Sequence, residues 1–115
     1  MMKEFSRTQR VSEQIRRELA DIIRREFTEP SLGMLTVTGV DISPDLKSAR
    51  VYVTVLGGSV EQTVQHLNEA AGQLRYHLSQ RLSTRTTPRL QFVYDASVEY
   101  GSHLSALIDS VAPDR

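Results

Sequence analysis

The chain has 115 residues, no cysteine, and fourteen basic side chains balanced by fourteen acidic ones. That length fits one domain, residues 1–115, around a single core, and the lack of cysteine excludes a disulfide scaffold and thiolate metal sites. The opening MMKEFSRTQR has no apolar stretch of signal-peptide length, and no run reaches the roughly 18 apolar residues of a membrane span, so a soluble cytoplasmic protein without membrane contact is expected.

From Thr8 to Phe27 the apolar residues Val11, Ile15, Leu19, Ile22, Ile23 and Phe27 recur at spacings of three and four, which predicts a helix with one buried face. Its polar side sets Glu13 four residues before Arg17 and Asp21 four before Arg25, the favourable order for ion pairs. Glu29, Pro30 and Gly33 then stop the helix. In LTVTGVDIS, Leu35 and Val37 share one parity and Val40 and Ile42 the other. An alternating strand that changes parity at a glycine predicts a bulge near Gly39. Pro44 and Asp45 supply a turn, and ARVYVTVL resumes alternation with Val51, Val53 and Val55, so the two strands form an antiparallel pair. Thr36, Thr38, Tyr52 and Thr54 fall mostly on the opposite face, and the sheet is expected to bury one side only.

Ser59, with Gln62 three residues later, has the capping-box spacing that opens a helix. Val60, Val64, Leu67, Ala71, Leu74, Leu78 and Leu82 then advance by threes and fours straight across Gly72. Glycine inside a helix costs about 1 kcal/mol relative to alanine, yet the apolar stripe keeps its phase. Two nearly continuous helical halves meeting at a kink at Gly72 are predicted. LQFVYD supplies a third strand, with Leu90, Phe92 and Tyr94 on the buried parity, and a short terminal helix carries Leu104, Leu107 and Ile108. The predicted class is α+β, in the order helix, strand, strand, helix, kink, helix, strand, helix.

Catalysis finds little support. His66, His77 and His103 have no metal-ligand spacing and no zincin glutamate. Asp41 and Asp45 flank Ser43-Pro44 and are read as a solvated hairpin turn in preference to an acid–base pair. Gly57-Gly58-Ser59 lacks the lysine and spacing of a phosphate-binding loop and is read as a capped turn. Tyr52 and Tyr94 are read as packing residues in preference to base-stacking platforms.

Charge is segregated along the chain. Residues 70 to 91 hold four basic and no acidic side chains, whereas residues 92 to 115 hold one and four. Twelve of the fourteen basic residues are arginine, whose planar fork suits phosphate. Arg75, Arg81, Arg85 and Arg89 have nothing close in sequence to pair with, so this stretch is expected to contact nucleic-acid phosphates in a salt-dependent way. Reversing Arg75, Arg81 and Arg85 to glutamate is expected to abolish binding and leave the fold intact.

The strings RVSEQIRRELADII, LTVTGVDISPDLKSARVYVTVLG, LNEAAGQLRYHLSQRL and PRLQFVYDASVEYG together resemble the bacterial ribosome-binding factor A family across nearly the whole chain. The first is a generic helix, whereas VTGVDISPDL followed by ARVYV and AAGQLR is specific. The resemblance implies a type II KH-like fold, with helices on one face of a three-stranded sheet. It also implies an Ala-x-Gly kink, here Ala70-Ala71-Gly72, in place of the G-x-x-G loop with which RNA-binding KH domains grip a single strand. By the same resemblance the protein is a non-catalytic assembly factor without cofactor or small-molecule substrate. It would bind the free small ribosomal subunit and support late maturation of 16S rRNA near its 5′ terminal helix, with a part in growth in the cold. A monomer is expected, contacting 16S rRNA and neighbouring ribosomal proteins. The family's positive face maps onto Lys3, Arg7 and Arg10 and onto Arg75, Arg81 and Arg85. Many members have Asp-Pro-Arg where this chain has Glu29-Pro30-Ser31, and an acidic residue where this chain has Arg89, which extends the basic segment. Two other readings remain: a helix-turn-helix DNA binder with Gly72 in the turn, and a protein-interaction module docking an acidic partner.

Overall fold

The computed structural model describes residues 7–26, 34–83 and 85–97. Helix α1 runs Arg7–Glu26, strands β1 and β2 run Met34–Ile42 and Ser48–Leu56, helices α2 and α3 run Val60–Glu69 and Ala71–Ser79, and strand β3 runs Arg89–Tyr94. The expected stop at Glu29-Pro30-Gly33 and the terminal helix with Leu104, Leu107 and Ile108 lie outside the described residues.

Every element described takes the predicted type because periodicity and burial agree. On α1, Ile15, Leu19, Ile22 and Ile23 are buried, the three-and-four stripe seen in the sequence. β2 pairs antiparallel with β1 and parallel with β3, giving a three-stranded sheet in the order β1-β2-β3. Val37, Ala49, Val51, Val53, Leu90 and Phe92 form its buried face against Leu67, Leu74 and Leu78 of α2 and α3 and the apolar stripe of α1. This is the type II KH-like arrangement expected. Thr36 and Thr38 are exposed, and Tyr52 and Thr54 are half-buried.

The expected bulge is present. Val37 stands opposite Val53 and Gly39 opposite Tyr52, so Thr38 is the extra residue, which is how the apolar parity of β1 switches in mid-strand. Thr38 is not idle: its hydroxyl bonds the Tyr52 carbonyl at 3.3 Å and the Asp95 carboxylate at 2.5 Å, joining the bulge to the end of β3. In the hairpin loop, Asp45 accepts from the Ser43 hydroxyl and the Lys47 amide, while Asp41 accepts from the Tyr52 hydroxyl. The two carboxylates are separately engaged, as a turn requires. Gly57 adopts φ +87, the left-handed conformation glycine tolerates, and Ser59 caps α2 by accepting from the Gln62 amide at 3.2 Å.

Two details differ from the expectation. The break between α2 and α3 is centred on Ala70 (φ −95, ψ 8), the first residue of the expected Ala70-Ala71-Gly72 motif, and not on its glycine: Gly72 is helical in the first turn of α3. Ala70 still accepts the first bond of α3, from the Leu74 amide at 2.9 Å, so a single residue separates the helices and the stripe keeps its phase. Val60, placed on that stripe, is only half-buried, and Thr63 is buried on the first turn in its stead. A contact invisible in the sequence anchors the junction. The Asn68 side-chain amide donates to the Phe92 carbonyl at 2.9 Å and accepts from the Phe92 amide at 2.8 Å. It thereby imitates a neighbouring strand along the open edge of β3.

Candidate nucleic-acid interface

The four arginines after the kink divide into two pairs with different work. The Arg75 guanidinium donates twice to the Thr87 carbonyl, from Nε at 3.0 Å and Nη2 at 2.7 Å. Thr87 and Pro88 are buried, so Arg75 fastens the segment leading into β3 onto α3. Arg81, just beyond α3, reaches α1 and pairs with Glu18 at 3.1 Å and Asp21 at 2.8 Å. The Arg81 hydrogen bond, helped by Arg25 and Arg24, holds the Asp21 carboxyl below its ordinary pKa, and Asp21 and Glu18 raise that of Arg81.

The expectation that these arginines have nothing close in sequence to pair with holds, but it does not leave Arg75 and Arg81 free. Their partners are distant in sequence and reached only by folding. Reversing either charge removes a contact that the fold uses, so the Arg75, Arg81 and Arg85 triple reversal is not a clean test of binding. Arg85 and Arg89 differ: both are exposed, and neither side chain has a hydrogen bond or ion pair among the described residues. Arg89 is fixed through its backbone, which donates to the Lys47 carbonyl at 2.9 Å.

Arg7 and Arg10 are exposed in the first turn of α1, and Lys3 lies outside the described residues. Thr8, Gln9 and Ser12 share a cleft with residues 38–42 of β1, so the start of α1 lies beside the end of β1. The strand register sets Ile42 beside Ala49 and Ser48 beside Arg89, bringing the end of β1 and the starts of β2 and β3 together. Lys47 and Arg50 accompany Arg89 at that end of the sheet. Neither is legible as part of a basic surface in the sequence, because a lone lysine in a turn and a lone arginine in a strand carry no signal until β3 is laid beside them. On α1, Glu13 pairs with Arg16 rather than the expected Arg17, and Asp21 pairs with Arg25 as expected.

Gly72, Arg75, Tyr76, Ser79, Arg85 and Thr87 line an open groove between α3 and the segment before β3. Tyr76 is 62% exposed, and its ring meets His77 at an angle of 67° with centroids 5.7 Å apart. Tyr52 and Tyr94, the aromatics weighed from the sequence, are half-buried on the sheet, and Tyr52 spends its hydroxyl on Asp41. Tyr76 accompanies the arginines in the basic stretch, and it falls between the stripe positions Leu74 and Leu78, on the side of α3 away from the core. Among the described residues no group of His, Asp and Glu could hold a metal ion, and no helix is long and apolar enough to cross a membrane.

The model of the family described as ribosome-binding factor A matches residues 7–108. The ribosome-binding factor A of a Pseudomonas putida strain is 49% identical over 120 aligned positions, covering 100% of this chain and 91% of that protein. The crystal structure of ribosome-binding factor A from Thermus thermophilus superposes with a TM-score of 0.70 at 30% identity, covering 77% of this chain and 97% of that one. A homology model of the Thermus thermophilus factor, fitted into the cryo-EM map of a 30S–RbfA complex, superposes with a TM-score of 0.65 at 32% identity, covering 74% and 91%.

Proposed function

The chain belongs to the ribosome-binding factor A family, and on that premise we propose that it is a non-catalytic assembly factor that binds the free small ribosomal subunit in the cytoplasm. It acts there as a single KH-like domain, holding 16S rRNA and assisting its late maturation near the 5′ terminal helix. The similarity to the Thermus thermophilus factor fitted into a 30S complex supports the partner. The observation that carries the mode of binding is the pair of exposed arginines, Arg85 and Arg89, without internal partners among the described residues. Lys47 at the same end of the sheet, and Arg7 and Arg10 on α1, extend the cationic surface. Arg75 and Arg81 contribute by holding the surface in shape.

Such a face binds phosphates without reading bases, so it grips structured rRNA by charge and shape. A helix-turn-helix reading fits less well: that motif needs a turn of three or four residues, and Ala70 alone joins α2 to α3. The reading as a module for an acidic protein predicts that captured partners survive complete ribonuclease digestion, whereas the rRNA reading predicts their loss. The direct test is co-sedimentation of the purified chain with isolated small subunits and with whole ribosomes. Binding to the small subunit and not to whole ribosomes is expected; equal binding to both counts against the proposal.

A further inference from the structure

Gly72 has no reason inside the fold. It sits in the first turn of α3, outside the left-handed region, and a Cβ built on it meets nothing within 4 Å. Neither backbone conformation nor packing calls for glycine there, although glycine is a poorer helix former than alanine. What glycine leaves is a bare stretch of backbone on the wall of the groove between α3 and the segment entering β3. Tyr76 lies four residues further, on the same side of the helix. It is one of three large apolar side chains left exposed among the described residues, and its contact with His77 is edge-on, so the two rings do not stack on each other. Across the groove Arg85 is exposed with no partner among the described residues, and the wall that bears it is tied down by the bonds from Arg75 to Thr87.

An open aromatic ring, a free guanidinium across from it and bare backbone one helical turn away make a set that a duplex does not use. A duplex offers phosphates but keeps its base faces stacked. An unpaired nucleotide offers both a π-face and a phosphate. We infer that this groove receives an unpaired nucleotide of the bound RNA, its base stacked on Tyr76, its phosphate on Arg85, and its backbone passing over Gly72. The inference rests on the proposed rRNA binding and adds to it a single-stranded contact within a surface that otherwise grips by charge.

The test uses the full chain and two labelled probes, a short single-stranded oligouridylate and a blunt-ended RNA duplex of equal phosphate count, with parallel co-sedimentation on small subunits. Loss of base stacking corresponds to about 1–3 kcal/mol, so Tyr76→Ala is expected to weaken oligouridylate binding roughly 5- to 150-fold and to leave duplex binding unchanged. Tyr76→Phe retains binding. Gly72→Gln, which fills the groove, weakens oligouridylate binding with no loss of melting temperature. Parent-like oligouridylate binding by Tyr76→Ala, or equal losses on both probes, overturns the inference even while the parent still sediments with small subunits. If instead the parent fails to sediment with small subunits but shows the Tyr76-dependent single-strand binding, the groove stands and the ribosomal reading falls.

Discussion

Single side chains decide how the charged surface is divided. Arg81 and Arg85 are four residues apart and chemically identical, yet one is held by Glu18 and Asp21 and the other faces solvent. The pair with Asp21 makes the stability of the α1–α3 contact depend on pH. The Asp21 carboxyl has its folded pKa depressed, chiefly by the Arg81 hydrogen bond, below its ordinary value of 3.8. A depressed carboxylate contributes stability that is fully present above the unfolded value and is lost as pH falls through the folded one. Arg81→Met is therefore expected to lower the melting temperature at neutral pH, with the gap from the parent narrowing once pH drops below about 4. Arg24 and Arg25 continue to hold part of the depression in the variant. Thermal melts of both proteins across that range check this. A gap independent of pH would assign the role of Arg81 to the packing of its stem and not to its charge.

At the scale of elements the junction of α2 and α3 is the informative one. The apolar stripe predicts near-continuity, and one residue indeed joins the helices. The cause lies two residues away from the expected glycine. The break falls at Ala70, where Ala70 and Ala71 are both half-buried against the core and Asn68 is clamped to Phe92. The bend is thus held by tertiary contacts on either side of it, with Leu67 and Leu74 both buried, rather than released by glycine flexibility. Since Gly72 is helical and unobstructed, Gly72→Ala is expected to raise stability by about 0.4–1 kcal/mol, measured by urea unfolding, and to leave the bend unchanged. A destabilised variant would mean that the first turn of α3 needs glycine after all. Alanine is small, so the same variant perturbs the groove far less than Gly72→Gln.

For the whole molecule, net charge is uninformative and its distribution is what matters. The formal charge is zero, but folding spends Arg75, Arg81, Arg16, Arg24 and Arg25 on internal partners and leaves Arg7, Arg10, Arg50, Arg85 and Arg89 exposed without one among the described residues. Each phosphate contact releases counterions, so affinity for RNA falls with salt in proportion to the number of contacts. Arg85→Gln combined with Arg89→Gln is expected to reduce the slope of log affinity against log salt by roughly one unit per arginine, with melting temperature unchanged. Arg75→Gln should instead lower the melting temperature, because it releases Thr87. Titration of small-subunit binding across a salt series, beside thermal melts, reads both. An unchanged slope in the double variant would remove this end of the sheet from the binding surface.

The sequence by itself determined the elements and their faces: the stripe of α1, the alternation of β1 and β2, the bulge at the parity switch, the Ser59 cap and the helical pair that keeps its phase. Each of these follows from local periodicity or from a side chain bonding backbone a few residues away, which short strings encode. The likeness of VTGVDISPDL, ARVYV and AAGQLR to one family added the fold and the partner class. Tertiary structure alone decided which arginines are free, because the carboxylates that occupy Arg81 come from a helix more than fifty residues earlier, and the carbonyl that occupies Arg75 comes from the segment entering β3. It also decided that Asn68 closes the edge of β3, that Lys47 stands beside Arg89, and that the break falls at Ala70. These are pairings across the fold, and no spacing along a chain specifies a partner brought near only by burial of the core.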